Sequence, residues 1–255
     1  MRFYLGTHHS NWLGLTNVPL FISRRRLQDR RTFPRALGPW ALDSGGFSEL
    51  SMFGAWQVTP KQYAAQVLRF GEEIGQLAWA APQDWMCEPS IIAKTGLSVA
   101  EHQARTTANY LELRGLNAPV VPVLQGWEYG DYLEHMEGYA KAGVCLTAEP
   151  LVGVGTICRR QNTLEAAAIL TTIRALGVRI HGFGLKTDAL KRIGLGIESA
   201  DSMAWSSGAR WRPALEGHTH KSCANCLEYA LQWRGSTLAA LPLPSSGGQG
   251  QEAQG

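Results

Sequence analysis

No apolar run in the chain approaches the roughly 18 residues that a membrane-spanning helix needs, so no membrane span is expected. The sequence opens at Met1-Arg2-Phe3-Tyr4 on a strand-like segment, without the charged and apolar regions of a secretory leader. Cysteine is sparse and odd in number: there are five, and Cys87, Cys145 and Cys158 are scattered. That usage argues against a disulfide framework and for a reducing, cytoplasmic location. Charge is also modest, at 18% charged residues with a formal net charge of +3, too small an excess to identify a nucleic-acid partner by itself. No internal repeat is visible.

A hydrophobic fraction of 45% over 255 residues is ordinary globular composition and supplies one sizeable core. Basic residues cluster locally, with Arg24, Arg25, Arg26, Arg30, Arg31 and Arg35 in one short stretch. Such a cluster reads either as a rim for phosphates or as a solvated face. From Pro242 to Gly255 the sequence is Gly/Ser/Gln-rich, which predicts a disordered tail over 241–255 behind a single domain over 1–240.

Apolar runs of strand length alternate with helical patterns along that domain. The expected strands are Arg2–Gly6, Val18–Ser23, Trp40–Asp43, Leu77–Asp84, Val120–Gln125, Leu151–Thr156, Ile180–Leu185 and a last one near Ser199–Trp205. They are apolar on both faces, as parallel strands covered by helices should be. Thr59-Pro60 opens one helix, with Val67, Phe70 and Ile74 at helical spacing. Ser98-Val99-Ala100-Glu101 is a capping box for a second. Thr163-Leu164-Glu165 leads into a third, which Gly177 ends. Eight strands with helical crossovers predict an α/β fold of the (β/α)8 TIM-barrel type, with an open doubly wound sheet as the alternative.

In such a barrel chemistry sits where strands end. Strand three ends in Asp43-Ser44-Gly45-Gly46-Phe47, strand four in Gln83-Asp84, strand five in Gln125-Gly126 and the last in Asp201-Ser202; strand six carries Gly153-Val154-Gly155-Thr156. Any one of these aspartates serves equally well as a turn or helix cap. Three carboxylates and an amide converging on one mouth point instead to a site, because buried carboxylates are costly unless they are paired or used.

These segments resemble the tRNA-guanine transglycosylase superfamily. Asp43-Ser44-Gly45-Gly46-Phe47 is similar to its DSGGF signature, and Val123-Leu124-Gln125-Gly126 to its VQG segment. Gln83-Asp84-Trp85-Met86-Cys87-Glu88-Pro89 resembles the segment whose aspartate reads the guanine edge, and Gly153 and Gly155 stand at the family's base-facing glycines. Gly196-Ile197-Glu198-Ser199-Ala200-Asp201-Ser202 resembles GxDxFDS, with Glu198 in place of the first acid and Asp201 as the second. The resemblance implies base exchange through a covalent aspartyl-glycosyl intermediate, with Asp201 as nucleophile and Asp43 as acid/base. It implies a substrate site of Ser44, Asp84, Gln125, Gly126, Gly153 and Gly155. The two oxygens of Asp84 match guanine's N1–H and amino donors, and the Gln125 amide suits O6. Phe47, Trp85 and Trp127 offer faces for stacking or for packing.

Beyond the last strand, His218-Thr219-His220-Lys221-Ser222-Cys223-Ala224-Asn225-Cys226 offers four ligands for a structural zinc over 218–226. A Cys-x-x-Cys pair can also be redox-active, but no thioredoxin-like unit surrounds this one. The superfamily carries CxCxxC and a later histidine near this place. Here His218 and His220 take two cysteine positions, a departure that leaves the ligand set open.

Little chain follows, so no accessory RNA-binding domain is expected, and Met203-Ala204-Trp205-Ser206-Ser207-Gly208 replaces a longer stretch of the tRNA enzymes. In both respects the chain is similar to the compact DpdA branch, which implies DNA as substrate and a 7-deazaguanine of the preQ0 type as incoming base, within a DNA-modification system that has accessory proteins. The alternatives are a tRNA substrate, a non-catalytic partner subunit that positions nucleic acid, and a zinc-dependent hydrolase. Arg159, Arg160 and Lys186 would add to a basic rim.

Overall fold

The computed structural model describes residues 1–157, 164–185, 190–191 and 196–241. Its strands are β1 (Arg2–Thr7), β2 (Leu20–Ser23), β3 (Trp40–Asp43), β4 (Leu77–Ala80), β5 (Val123–Leu124), β6 (Val152–Val154), β7 (Ile180–Gly182) and β8 (Ser199–Ser202). They form one eight-stranded sheet in the order β4-β3-β2-β1-β8-β7-β6-β5. The paired strands are parallel, with β1 between β2 and β8. An open doubly wound sheet reverses its strand order partway, whereas here each strand lies beside its sequence neighbours, as in a ring cut between β4 and β5.

The two edges approach each other. Ala80 N–H donates to the Pro119 carbonyl over 2.9 Å and Val121 N–H donates to the Ala80 carbonyl over 3.1 Å, just ahead of β5. The curled parallel sheet is compatible with a TIM-type barrel.

Prolines explain why several strands are shorter than the apolar runs. Pro19 delays β2, Pro82 follows the end of β4, and Pro119 and Pro122 restrict β5 to two residues, because proline cannot donate to the ladder. The last run stops at Ser202, and Trp205 belongs to a helix.

The helices are α1 (Gly46–Phe53), α2 (Pro60–Ile74), α3 (Pro89–Thr95), α4 (Val99–Gly115), α5 (Tyr129–Lys141), α6 (Leu164–Ala175), α7 (Ala204–Ala209) and α8 (Leu227–Ala239). Thr59 with Gln62, and Ser98 with Glu101, form the capping boxes of α2 and α4. Val67, Phe70 and Ile74 are buried on one face of α2. Thr163, expected to lead into α6, lies outside the described residues, as do Cys158, Arg159, Arg160, Lys186 and the tail from Pro242.

Side-chain alternation along the strands sets up the site. Phe3, Leu5, Leu20, Ile22, Trp40 and Leu42 pack outward in the main core under the helices. Their in-between neighbours Tyr4, Phe21 and Ala41 join Trp79, Ala81, Val121 and Leu151 in a separate inner cluster. The period of two then extends to the strand ends: Asp43 shares its face with Ala41, and Asp201 lies opposite Tyr4 in the β1–β8 register. Both carboxyls are therefore directed inward.

Candidate active site and metal centre

One cavity of about 250 Å³ collects the inward residues at the C-terminal strand ends. Asp43, Asp84 and Asp201 all line it. Gly155 and Thr156 form part of its wall, and Phe21 and Phe183 present aromatic surface.

Asp43 ends β3 at the start of a tight loop. Gly45 holds φ at 81°, a left-handed conformation that favours glycine, and caps α1. A side chain at Gly46 would press on the Asp84 carbonyl, the Asp84 carboxylate and Trp56. The DSGG sequence is thus what lets β3 turn into α1 against Asp84. Burial raises the pKa of Asp43 above the ordinary carboxylate range, opposed by hydrogen bonds from Gly45 N–H and Ser23; the nearby charge of Asp201 pushes it further up and that of Arg24 down.

Asp84 lies past the end of β4, held on both oxygens. Ser44 Oγ donates to Oδ1 over 3.0 Å and Gln125 Nε2 donates to Oδ2 over 2.6 Å. Burial, reinforced by the charge of Asp43, drives its pKa up to about 7 despite those two bonds.

Gln125 is fixed in turn. Its Oε1 accepts from Thr156 Oγ1 over 2.6 Å, and its backbone N–H donates to His135 Nδ1 over 2.9 Å. Burial lowers His135 to about 4, which keeps the ring neutral and able to accept. Thr156 has φ of 59°, an uncommon conformation for a β-branched residue, and also accepts from Cys87 N–H over 3.2 Å. A side chain at Gly155 would collide with the Gln125 amide.

Asp201 is 6% exposed and belongs to β8. Its Oδ1 accepts from Gly184 N–H over 2.9 Å and lies 3.2 Å from His181 Nε2. A carboxylate only accepts, so Nε2 carries a proton in that contact, and Nδ1 lies 2.9 Å from Ser199 Oγ. His181 follows from the same alternation on β7 and Gly184 from the turn just after it, but no motif marked them.

The expected substrate residues divide into two groups. Asp84 and Gly155 face the cavity, while Ser44, Gln125, Gly126 and Gly153 stand behind it. Gly153 lies deeper, with the Phe183 ring and Val123 against it, and Gly126 abuts Asp131 and Tyr132. Phe47, Trp85 and Trp127 are not among the lining residues; Phe21, Phe183, Met86, Met203 and His8 are, and sequence reading missed them. Trp85 packs with Leu50 and Ile91.

Much of the arginine stretch is structural. Arg24 is buried, donating to Glu49 Oε1 over 2.6 Å and to the Ser44 carbonyl over 3.3 Å, so it anchors the DSGG loop. Arg25 also reaches Glu49, Arg30 binds Ser10, and Arg35 caps the carbonyls of Glu72 and Glu73. Arg26 differs: partial burial and then the charges of Arg26, His9 and Arg210 hold His8, at the cavity wall, below the ordinary histidine range.

The second cluster lies beyond α7. His218, His220, Cys223 and Cys226 place one donor atom each within 4.8 Å of one another. Tetrahedral zinc with ordinary Zn–N and Zn–S bonds separates its ligands by about 3.3–3.8 Å. The observed separations are 3.3 Å for His218 Nδ1 to His220 Nε2, 3.1 Å for His220 Nε2 to Cys223 Sγ, and 3.8 Å for His218 Nδ1 to each sulfur. Glu228 Oε2 stands 3.1 Å from the far nitrogen of His218, as carboxylates do behind ligating imidazoles. Backbone N–H groups of Leu215 and Tyr229 point at the two sulfurs. The donor set fits a metal ion without a fifth residue, and none of the four donors lines the cavity.

This segment is fastened to α7 and to the loop after β1. Ser206 on α7 donates to the Ala224 carbonyl over 2.8 Å, Ser222 donates to the Ala209 carbonyl over 3.0 Å, and Asn225 Oδ1 lies 3.1 Å from His9 Nε2.

The α/β chain thus combines a curled parallel sheet, three aspartates at its C-terminal strand ends and a His/Cys cluster that could hold a metal ion. The family described as DpdA, DeoxyPurine in DNA protein A, matches residues 1–244, and the chain belongs to it. It is therefore a relative of the 7-deazaguanine DNA transglycosylases. No curated protein matches the chain. Among the described residues, no helix is long and apolar enough to cross a membrane.

Proposed function

We propose that the protein exchanges a guanine in DNA for a 7-deazaguanine of the preQ0 type, with Asp201 as nucleophile. The observation that carries this reading is the convergence of Asp43, Asp84 and Asp201 on one cavity. In the first half, a target nucleotide leaves the stack and its base enters the cavity against the aromatic surface of Phe21 and Phe183. Asp201 Oδ2 attacks C1′, forming a C1′–O bond as the bond from C1′ to the guanine nitrogen breaks. Protonated Asp43 gives its proton to the leaving guanine, a role that its raised pKa supports. In the second half the deazaguanine loses its proton to Asp43 and attacks C1′, releasing Asp201.

Asp84, as a carboxylate, accepts from N1–H and the exocyclic amine, since a carboxylate has about four acceptor positions and Ser44 and Gln125 occupy two. Gln125 acts by positioning Asp84, because both ends of its amide are engaged within the protein. His181 and Gly184 orient Asp201. His218, His220, Cys223 and Cys226 would hold a structural zinc that keeps the segment over 218–226 folded against α7.

The reading is tested by incubating the protein with DNA or tRNA and a labelled 7-deazaguanine, then measuring nucleosides by mass spectrometry. Incorporation into DNA supports it, incorporation into tRNA alone would move the substrate to tRNA, and incorporation into neither would refute base exchange.

A further inference from the structure

Trp211 is 87% exposed, the largest apolar side chain in the molecule left so fully in water among the described residues. Burying such a ring against a partner would be among the most favourable contacts that a side chain can make. Its neighbours say which kind. Arg210 and Arg212 flank it, both exposed, and neither is ion-paired among the described residues. An aromatic face between two unneutralised guanidinium groups suits a nucleic-acid strand, whose bases stack and whose phosphates are anionic.

The position relates this tripeptide to the cavity. Met203 lines the cavity wall, and α7 comes next over Ala204–Ala209. Six residues of helix advance about 9 Å, after which Arg210, Trp211 and Arg212 close the last turn on the carbonyls of Ser207, Gly208 and Ala209. Arg210 also lies near His8, which lines the cavity just beyond β1, and Arg26 is a further charge close to the same histidine. The ring thus stands just past a short helix that starts at the cavity wall, and the His/Cys segment fixes that helix through Ser206 and Ser222. A base extruded into the cavity leaves an unstacked gap beside it in the duplex, and that gap needs a flat apolar surface.

We infer that Trp211 stacks against the DNA base next to the flipped nucleotide, with Arg210 and Arg212 on the flanking phosphates. The inference rests on the nucleic-acid reading above and extends it to the residue that holds the opened duplex. The ring supplies sequence-tolerant affinity, since every base has a face to stack on, and the arginines supply a salt-dependent share.

The test compares wild type, Trp211→Ala, Trp211→Phe and Arg210→Ala/Arg212→Ala for binding a short fluorescein-labelled DNA duplex. A second duplex carries 2-aminopurine beside the target guanine, and its fluorescence reports unstacking and restacking. Trp211→Ala should weaken binding by at least about fivefold and change the 2-aminopurine signal, whereas Trp211→Phe should keep most of both. The double arginine variant should flatten the dependence of log affinity on log salt by about one to two. Equal affinity and an equal 2-aminopurine signal for Trp211→Ala and wild type would overturn the inference, as would a wild type that does not bind the duplex. A wild type that shows Trp211-dependent binding without base exchange would bear the inference out and count against the transglycosylase reading alone.

Discussion

Gln125 donates to Asp84 over 2.6 Å while Thr156 holds the other end of the same amide over 2.6 Å, so the Asp84 carboxyl is fixed in place from behind. Burial nonetheless leaves that carboxyl with a pKa of about 7, against 3.8 when unperturbed. The ionised form offers acceptors for both guanine donors and the protonated form does not. Guanine binding, measured by calorimetry, should therefore strengthen as pH rises through about 7 and level off above it. In Asp84→Asn the affinity should be lower and flat across that range.

The same shift has a consequence for folding. A carboxyl whose folded pKa lies above its unfolded value binds more protons in the native state between the two, here between 3.8 and about 7. The stability that it contributes when neutral is lost as pH rises through that window, by on the order of a few kcal/mol. The melting temperature of Asp84→Asn should gain on that of wild type across the window and then run parallel to it. A constant offset at every pH would show that Asp84 is not so perturbed.

His181 acts through Asp201. His181→Phe keeps the ring among Tyr4, Phe21 and Trp79 but removes the Nε2 contact. A hydrogen bond to a charged group contributes about 1.5–3 kcal/mol, so kcat should fall roughly 10- to 150-fold with KM little changed. His181→Gln, which keeps a donor near that position, should recover part of the loss. An equal loss in both variants would indicate a packing role.

How far these residues could be read from sequence depends on the kind of signal each one carries. The eight strands were legible because their apolar runs and the helices between them carry local periodicity, and Asp43, Asp84 and Asp201 because they close such runs. Strand ends were read too long wherever a proline removed a ladder donor, as at Pro82 and Pro122. Phe21 and His181 were missed because an inward phenylalanine or histidine on a strand looks like any other interior side chain, and His8 and Phe183 because they lie just past the ends of β1 and β7. Only the register across β7 and β8 brings His181 within reach of Asp201. The arginine stretch misled for a related reason, since composition does not reveal that Arg24 turns in to hold Glu49 and the DSGG loop.

Purified protein should contain about one zinc per chain. Cys223→Ser and Cys226→Ser should lower both metal content and melting temperature. Glu228→Gln should weaken zinc affinity by roughly 10- to 100-fold, because the carboxylate orients the His218 ring. Well-folded protein free of metal by elemental analysis would refute the structural-zinc assignment.

The covalent step separates an enzyme from a partner that only positions nucleic acid. Asp201 sits near the end of β8 with Oδ1 held by Gly184 and His181. Asp201→Asn should fold and still bind guanine, since Asp84 and the residues behind it are untouched. The decisive measurement is denaturing electrophoresis of protein incubated with guanine-containing DNA, scored alongside incorporation of radiolabelled 7-deazaguanine. Wild type should give a denaturant-resistant protein–DNA adduct and incorporate label, and Asp201→Asn should do neither. Base exchange by Asp201→Asn at the wild-type rate would contradict the assignment of Asp201 as nucleophile.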